Sequence, residues 1–457
     1  MRALLDSINP LTGEIIERYA ETTAPDAGAM VDRAARAFEG WRRIPPSGRA
    51  EPMLRAAAIL EERKSRFAAL MAAEMGKPVA QGLAEVEKCA WVCRHFAEQG
   101  ESMLAPEPVS TDAARSYVAF APLGVVLAVM PWNFPFWQVF RFAAPALMAG
   151  NAVLLKHASN VSGSALAIGE VIRDAGFPEG LFGVLLLRSG AVTPILERPE
   201  VKAVTLTGSA EAGRAIAAAA GRLLKKSVLE LGGSDPYVIL EDAPLEATVE
   251  TCVAARLVNT GQSCIAAKRF IVVEPVRREF QDRMVSRMRS KKVGDPMDPT
   301  VDLGPLARWD LRDALHRQVA ESTRRGANAA LGGASPAGPG AFYPATVLID
   351  VAPGMPAYQE ETFGPVAAII SARDEADAIR IANDSSFGLG AAVFTADAAR
   401  GERIAAEALD AGTCFVNAQV HSDPRLPFGG IKESGYGREL GRVGLHEFVN
   451  VKTVSVR

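Results

Sequence analysis

Three side chains of this sequence have the types and positions needed for acyl chemistry through a thioester. Cys264 follows a Gly-Gln-Ser segment, where a thiol can face a pocket. Glu230 ends an apolar run directly before two glycines, and Asn133 lies in a Pro-Trp-Asn-Phe-Pro turn after another apolar run. The ends of parallel strands face the ligand crevice of an open sheet. We therefore predict that a nucleophile, a base and an oxyanion donor lie together there.

Two of these residues also have a structural interpretation. A lone cysteine is commonly a small buried packing residue, and Glu230 could instead cap a helix or form a salt bridge. The combination favours the catalytic interpretation, because it supplies the minimum set of groups for the reaction. A carboxyl group near an apolar strand end also has a raised pKa, which suits a base near neutral pH.

The segments around these residues predict an α/β fold. Residues 26–104 carry apolar residues at helical spacing. From Gly124 onward, short apolar runs alternate with helical segments, and we predict strands over residues 124–130, 152–155, 181–187, 201–206 and 227–231. Strands of this kind are typical of a parallel sheet that is covered on both faces.

A second alternation begins after the two glycines that follow Glu230. We predict its strands over residues 237–240 and 269–273, and its helices over residues 245–258 and 276–289. Residues 449–456 alternate between apolar and polar types, which indicates a terminal strand. A strand needs a sheet edge, so we expect it to pair with another element or another subunit.

Composition excludes several classes of protein. The chain has 457 residues, of which 49% are hydrophobic and 23% charged, so it is not mainly disordered, collagen-like or a coiled-coil rod. The net charge of −3 does not indicate nucleic acid or an anionic membrane as a partner. Five dispersed cysteines favour a reducing compartment, and we expect a cytoplasmic protein. Cys89 and Cys93 lack a second Cys/His pair nearby, so we expect no metal site.

Residues 116–140 are the one stretch that could span a membrane by length, since they contain no charged residue. Three prolines, a glycine and polar side chains interrupt this stretch, and a lipid-exposed helix would not tolerate them. We predict a buried strand followed by a turn instead. The N-terminal residues show neither a signal-peptide nor a transit-peptide pattern.

Seven motifs, in their order and spacing, resemble those of the NAD(P)-dependent aldehyde dehydrogenase superfamily over nearly the whole chain. The motifs are Pro131–Pro135, Leu155-Lys156, Leu206–Ser209 with Gly213, Glu230–Gly233, Gly261–Cys264, Glu361–Pro365 and Pro427–Gly435. The resemblance implies a Rossmann-type cofactor domain, an α/β catalytic domain and a β oligomerisation arm.

On this basis we expect three structural regions. The cofactor-binding domain would cover residues 1–103 and 123–231, and the catalytic domain residues 232–427. The oligomerisation arm and C-terminal tail would cover residues 104–122 and 428–457. The arm implies a homodimer or homotetramer, because two strands alone are only marginally stable and should add to a partner subunit.

The resemblance also implies a reaction, the oxidation of an aldehyde to a carboxylic acid. Cys264 attacks the aldehyde carbon as a thiolate, and the amide of Asn133 and the backbone N–H of Cys264 hold the oxygen of the thiohemiacetal. Hydride transfer to the nicotinamide leaves a thioester. Glu230 activates the water that releases the acid. A non-catalytic member of the superfamily is the alternative, but the presence of all three residues favours an enzyme.

The cofactor residues implied by the resemblance lie in several of the motifs. The strand–turn–helix context of Gly208, Ser209 and Gly213 places backbone N–H groups at a helix N-terminus, where they would bind a pyrophosphate. A nucleoside triphosphate is not expected, because the Lys-Ser/Thr of a P-loop is missing. The other implied cofactor contacts are Trp132, Lys156, Ser159, Leu231, Glu361 and Phe363.

The choice between NAD and NADP depends on Ser159. Strict NAD users of this family commonly have an acid at this place, three residues after the lysine, and a carboxylate repels the 2′-phosphate of NADP. Ser159 is neutral, so we predict that both cofactors are used, with NADP modestly favoured. A protonated His157 would add to phosphate binding.

Arg141, eight residues after Asn133, indicates the class of aldehyde. Succinate-semialdehyde dehydrogenases of this family have an arginine at this place, where a guanidinium can bind a substrate carboxylate. Ser422 and Arg425 are candidates for further substrate contacts. A second arginine that some of these enzymes carry just before the nucleophile is absent. Glutarate semialdehyde, a broad aldehyde range, and a surface or interface salt bridge of Arg141 remain open as alternatives.

Overall fold

The computed structural model describes residues 3–457. Its α-helices are α1 (Ala24–Trp41), α2 (Pro46–Glu62), α3 (Lys64–Met75), α4 (Val79–Met103), α5 (Trp137–Met148), α6 (Ser162–Asp174), α7 (Val192–Glu197), α8 (Ala210–Arg222), α9 (Leu245–Leu257), α10 (Glu274–Arg289), α11 (Trp309–Arg324), α12 (Pro356–Gln359), α13 (Glu375–Asn383), α14 (Ala398–Arg403) and α15 (Gly441–His446).

The strands form five sheets. They are β1 (Leu4–Ile8), β2 (Ile15–Ala20), β3 (Glu107–Pro108), β4 (Arg115–Pro122), β5 (Val125–Met130), β6 (Ala152–His157), β7 (Phe182–Val184), β8 (Val201–Thr207), β9 (Lys226–Glu230), β10 (Pro236–Ile239), β11 (Arg269–Val273), β12 (Asn328–Leu331), β13 (Thr346–Ile349), β14 (Val366–Ala372), β15 (Phe387–Gly388), β16 (Gly390–Phe394), β17 (Thr413–Val416), β18 (Ile431–Lys432), β19 (Gly435–Tyr436) and β20 (Val449–Val456).

The first large sheet has the strand order β19-β9-β8-β5-β6-β7. The five strands from β9 to β7 are parallel to one another. Helices α1, α5, α6 and α8 pack against them. The predicted α/β alternation is therefore confirmed. One strand is shorter than predicted: β7 ends at Val184, because the backbone of Leu186 bonds instead to Thr22 in the segment before α1.

The second large sheet has the order β12-β13-β14-β11-β10-β16-β17, and all of its pairs except β12–β13 are parallel. Strands β10, β11 and β16 are buried along their whole length. This burial explains why these segments read as continuous apolar runs rather than as alternating ones, since both faces of the sheet are covered.

The terminal strand β20 pairs antiparallel with β4 along eight residues, and β3 completes a three-stranded sheet. The sequence assigned residues 428–457 to the arm and tail, and the structure divides them among three sheets. Strand β18 pairs with β15, and β19 pairs with β9, opposite Glu230. Gly435 permits the second pairing, because a Cβ at this position would lie 2.0 Å from the carbonyl oxygen of Leu229.

Within residues 3–457, no helix is long and apolar enough to cross a membrane. The same residues contain no group of three or more His, Cys, Asp or Glu side chains that could hold a metal ion.

Candidate active site

The carboxyl ends of the parallel strands in the first sheet bring the predicted residues together. Strand β5 ends at Met130, directly before the turn that contains Asn133, and β9 ends at Glu230. Strands β6 and β8 lead into the segments of Ser159 and Ser209. The turn that contains Cys264 meets this edge from the second sheet, where it precedes β11. The predicted residues thus meet at the carboxyl edge of the first sheet, where the strand-end argument placed them, and the second sheet contributes the turn of Cys264.

The turn before Cys264 has an unusual backbone. Asn259 and Thr260 have φ angles of 53° and 56°, and Gly261 follows at 77°. Non-glycine residues in the left-handed region persist only where their surroundings hold them. Here the side-chain nitrogen of Asn259 donates to the carbonyl of Asn133 at 2.7 Å and to that of Gln262 at 3.0 Å. These bonds join residues 259–264, the nucleophile turn, to residues 131–135, the Asn133 turn.

The side chain of Asn133 is held at both ends. Its Nδ2 donates to the carbonyl of Gln262 at 3.0 Å, and its Oδ1 accepts from Nε2 of Gln138 at 3.0 Å. An amide nitrogen carries two hydrogens. The second N–H of Asn133 therefore has a fixed direction, which is the requirement for a preorganised oxyanion donor.

A buried ion pair anchors the Asn133 turn to α4. Glu85 accepts hydrogen bonds from the backbone nitrogens of Phe136 and Trp137, at 2.9 and 3.0 Å, and pairs with the ammonium group of Lys77. Both side chains are almost fully buried. Negative charge at a helix N-terminus is favourable, so Glu85 fixes where α5 begins.

The side chain of Lys268 stabilises the backbone around Cys264. Its Nζ donates to the carbonyls of Ser263, Cys264 and Ala266 at 2.8 to 3.0 Å and lies 3.7 Å from Oε1 of Glu361. Sequence analysis missed this residue. The available signal was a Lys-Arg pair at the start of an apolar strand, because buried cations need partners.

The thiol of Cys264 is protonated at neutral pH in this structure. Burial raises its pKa to about 12, although the positive charge of Arg141 opposes the rise. A thiol must lose its proton before it attacks a carbonyl carbon. The site therefore has to supply a base, or to bring further positive charge close to the sulfur.

Glu230 is buried, and neither oxygen of its carboxyl group has a hydrogen-bond partner among the described residues. Burial raises the pKa of this carboxyl group well above its ordinary value; Arg141 opposes the rise and the nearby Glu439 adds to it. The room around the carboxyl group depends on Gly429, where a Cβ would lie 2.5 Å from Oε1 of Glu230. Glu230 thus combines an unsatisfied carboxyl group with a raised pKa.

Arg141 lies at the centre of these groups. Its side chain is only 4% exposed, and it forms an ion pair with Glu439, which is 2% exposed. Its guanidinium carbon stacks 4.9 Å from the ring centre of Phe428, and Nη2 donates to Thr207 at 3.4 Å. The salt bridge considered as an alternative from the sequence exists, but it lies inside the site rather than on the surface. Glu439 was not found from the sequence.

The two other predicted substrate residues are placed differently. Ser422 is buried, and its hydroxyl accepts a hydrogen bond from Nζ of Lys88 at 2.9 Å. The side chain of Arg425 is 68% exposed, and both its bonds go to Asp423, at 2.9 and 2.6 Å. Because its charge is already paired on the outside of the molecule, we do not retain Arg425 as a substrate contact.

The glycine-rich segment is arranged as predicted for binding a pyrophosphate. Ser209 is the N-cap of α8, and its hydroxyl accepts from the backbone nitrogen of Ala212 at 3.2 Å. Gly208 donates its N–H to the carbonyl of Glu230 at 3.0 Å. Gly213 packs against Leu231, where a Cβ would lie 2.6 Å from that side chain. The helix N-terminus therefore stays close to the end of β9.

Lys156 and His157 follow each other at the end of β6 but face different surroundings. Lys156 is buried and forms no hydrogen bond or ion pair within residues 3–457, and burial lowers the pKa of its ammonium group. The ring of His157 is directed at the carbonyl of Pro135, 2.9 Å away, and burial lowers its pKa to about 4. The expectation that a protonated His157 binds phosphate was wrong, because this ring is neutral and turned inward.

Glu361, Phe363 and Trp132 line the other side of the crevice. The carboxylate of Glu361 accepts from the backbone nitrogen of Gly233 at 3.0 Å. The rings of Trp132 and Phe363 pack edge to face, with their centres 5.7 Å apart. Glu361 and Phe363 also border a cavity of about 450 Å³ between α11 and α12. That volume lies in the range of small-molecule sites.

Comparison with known proteins shows the family to which this chain belongs. The model of the aldehyde dehydrogenase family matches residues 2–454. The chain is 49% identical over 448 residues to a probable succinate-semialdehyde dehydrogenase (NADP+) of Synechocystis, with 98% of each chain covered. It is 47% identical to a succinate semialdehyde dehydrogenase (NAD(P)+) of Escherichia coli, covering 98% of this chain and 97% of the relative.

Solved structures give the same result. The crystal structure of succinic semialdehyde dehydrogenase from Streptococcus pyogenes in complex with NADP+ superimposes with a TM-score of 0.97 at 34% identity, and 99% of each chain is covered. This chain therefore belongs to the aldehyde dehydrogenase family, and the resemblance inferred from the seven motifs is confirmed.

The pKa of Cys264 leads to a prediction for the unliganded protein. Iodoacetamide should alkylate Cys264 about tenfold faster for each pH unit between roughly pH 7 and 9, because the thiolate fraction rises tenfold per unit far below the pKa. Peptide mass spectrometry after timed quenching measures this rate. Cys264→Ala is the control for labelling at other cysteines, and a rate that levels off below about pH 8 would contradict the raised pKa.

Proposed function

We propose that this protein oxidises succinate semialdehyde to succinate with NAD or NADP as the hydride acceptor. The observation that carries the proposal is the buried cation Arg141, whose charge acts on both Cys264 and Glu230. A cation at this depth suits a substrate with a carboxylate close to its aldehyde group. The names of the Synechocystis and Escherichia coli relatives support the same substrate.

In the proposed reaction, the sulfur of Cys264 forms a bond to the aldehyde carbon and its proton passes to a base. We assign this role to Glu230, directly or through a water molecule. The carbonyl oxygen becomes an oxyanion, which the free N–H of Asn133 and the backbone N–H of Cys264 stabilise. Donors that are fixed before the reaction contribute most, since they need no reorganisation as charge develops.

Glu230 has a second task in the proposed reaction. It takes a proton from the water that attacks the thioester, the carbon–sulfur bond breaks, and the acid leaves with Cys264 restored. A carboxyl group of ordinary pKa would be a weak base at neutral pH. The raised pKa of Glu230 makes it stronger, and the charge of Arg141 limits the rise so that the ionised form stays accessible.

The residues at the crevice fit a nicotinamide dinucleotide. Lys156 offers a buried ammonium group without a partner among the described side chains, and α8 offers an N-terminus next to Ser209. Glu361 is held by Gly233 and Lys268, in a position to bind a ribose hydroxyl. When bound, the cofactor supplies the acceptor for the hydride that leaves the thiohemiacetal carbon.

We also propose that the protein accepts both cofactors, with NADP modestly favoured. Ser159 begins a short turn directly after β6 and carries no charge that would repel a 2′-phosphate. The relatives support this choice, since the Synechocystis name specifies NADP+ and the Escherichia coli name NAD(P)+. With His157 excluded, Lys156 is the cation left to favour the phosphate.

The oligomerisation arm is a further part of the proposal. The sheet β20-β4-β3 exposes apolar side chains such as Val451, which is 60% accessible. A small sheet of this kind gains stability when a partner covers it. We propose a homodimer or homotetramer formed through this sheet. A cytoplasmic location, inferred from the dispersed cysteines, stays a prediction from the sequence.

Three substitutions test the catalytic assignments. Cys264→Ala should abolish oxidation, and Glu230→Gln should form one equivalent of NAD(P)H per site slowly and then lose turnover. Asn133→Ala should lower kcat by about 10²–10³ if its amide binds the oxyanion. Stopped-flow absorbance of NAD(P)H measures all three. Near-normal turnover of Cys264→Ala would contradict the covalent reaction.

The unaltered enzyme with a panel of succinate semialdehyde, glutarate semialdehyde and butanal serves as the reference for these variants. Equal kcat/KM for butanal and succinate semialdehyde would favour the broad-specificity alternative.

Ser159→Glu tests cofactor choice. The new carboxylate should lower kcat/KM for NADP relative to NAD by at least about tenfold, because juxtaposed like charges repel. Ser159→Ala is the matched control, since it removes the hydroxyl group without adding charge. If the unaltered enzyme rejects NADP outright, the role given to Ser159 is wrong.

Removal of residues 450–457 tests the arm. Without most of β20, the sheet loses the partner of β4 along nearly its whole length, so the oligomer should dissociate to a lower order. Sedimentation velocity measures the mass of the particle. An unchanged mass, in a variant that keeps its helical circular dichroism, would contradict the arm.

A further inference from the structure

Near Arg141 lies a second, half-buried cation that the sequence did not indicate. Lys88 is on α4, and its Nζ lies 4.4 Å from the ring centre of Trp137 and donates to Oγ of Ser422. Trp137 and Arg141 are four residues apart on α5 and thus share one face of that helix. Lys88 therefore lies on the side of α5 that carries Arg141, close enough for the two charges to interact, and Arg141 also acts on Cys264 and Glu230.

The two cations differ in their partners. Arg141 is paired with Glu439, whereas none of the ion pairs between described residues involves Lys88. The two carboxylates whose charges act on Lys88 already have partners. Asp423 is bound to Arg425, and Glu85 to Lys77.

Arg141 has Glu439 as its ion-pair partner, whereas Lys88 is a cation without a carboxylate partner among the described residues. Burial and, to a smaller extent, the charge of Arg141 lower the pKa of Lys88 to about 8. A cation that is largely withdrawn from water, with only a hydroxyl group and an aromatic ring as its contacts, favours an anionic ligand.

We propose that Lys88 is a specificity-determining residue, whose ammonium group binds the substrate carboxylate together with the hydroxyl of Ser422 and the guanidinium of Arg141. The inference rests on the proposed function, since it assumes an aldehyde with a distal carboxylate. An ammonium group has three N–H donors, and Ser422 uses one of them. Two remain for the carboxylate. Glu439 pairs with Arg141 at Nε, and one N–H of Nη2 is used by Thr207, which leaves the other outer N–H groups available.

In this assignment the two cations have different roles. Glu439 neutralises Arg141 and fixes its orientation. Arg141 therefore orients the bound substrate carboxylate. Lys88 supplies the unpaired charge that attracts it. An uncharged aldehyde of the same length gains nothing from Lys88 and leaves its ammonium group without an anion.

Steady-state kinetics with succinate semialdehyde and butanal test the proposal. Lys88→Met should raise KM for succinate semialdehyde by roughly 10- to 150-fold, the range expected for loss of a charge-assisted bond. KM for butanal should rise much less or fall. Lys88→Arg should recover part of the loss, and the Ki of succinate as an inhibitor should rise in parallel with KM. Lys64→Met, which removes an exposed lysine that pairs with Glu87, is the matched control.

The outcomes distinguish a failure of the role of Lys88 from a failure of the proposed function. Equal effects of Lys88→Met on both aldehydes would overturn the role of Lys88, while a strong preference of the unaltered enzyme for succinate semialdehyde would leave the proposed function intact. If the unaltered enzyme does not prefer succinate semialdehyde, the proposed function itself fails. Should Lys88→Met not fold, Lys88→Gln keeps a donor for Ser422 and removes the charge, and the same ratio of KM values decides.

Discussion

The buried guanidinium group of Arg141 is the interaction on which the rest of the site depends. Its charge lowers the pKa of Cys264 and of Glu230 against the effect of burial, and it pairs with Glu439. In an environment with little water, one charge acts over several neighbours with little screening. Without Arg141, Cys264, Glu230 and Glu439 would lose the cation that acts on all three of them, which is the largest favourable charge for each. The group to which we assign the substrate carboxylate thus also favours the ionised forms of Cys264 and Glu230.

The position of Arg141 depends in turn on how α5 is held. Glu85 bonds to the first backbone nitrogens of α5, and Lys77 neutralises Glu85. On the far side, the backbone of Glu439 forms two hydrogen bonds of 2.7 Å with Phe428, which places its carboxylate against Arg141. Buried ion pairs contribute little net stability but are costly to break. Their effect here is to fix geometry, because either partner alone would be an uncompensated charge.

The nucleophile turn is likewise held in place by a few specific bonds. Left-handed Asn259 and Thr260 store backbone strain, and hydrogen bonds to the Asn133 turn and to Gln262 hold them there. Lys268 links the carbonyl of Cys264 to Glu361, a residue that we assign to the cofactor. The nucleophile, the oxyanion donor and the cofactor side of the crevice are therefore connected through a few bonds. A displacement at one of them is transmitted to the others.

The sequence by itself determined the fold class and the roles of Cys264, Glu230 and Asn133 as predictions, because residue types at strand ends and short motifs are local features. Only the tertiary structure decided which charges meet. The bond between Lys88 and Ser422 joins residues 334 positions apart, and no local pattern marks either as the partner of the other. Packing also turned His157 inward and left Arg425 at the surface, since burial and pairing depend on elements far apart in the chain. The chemistry is thus carried by short segments, whereas the electrostatic environment that tunes it exists only once α4, α5 and the C-terminal segment pack together.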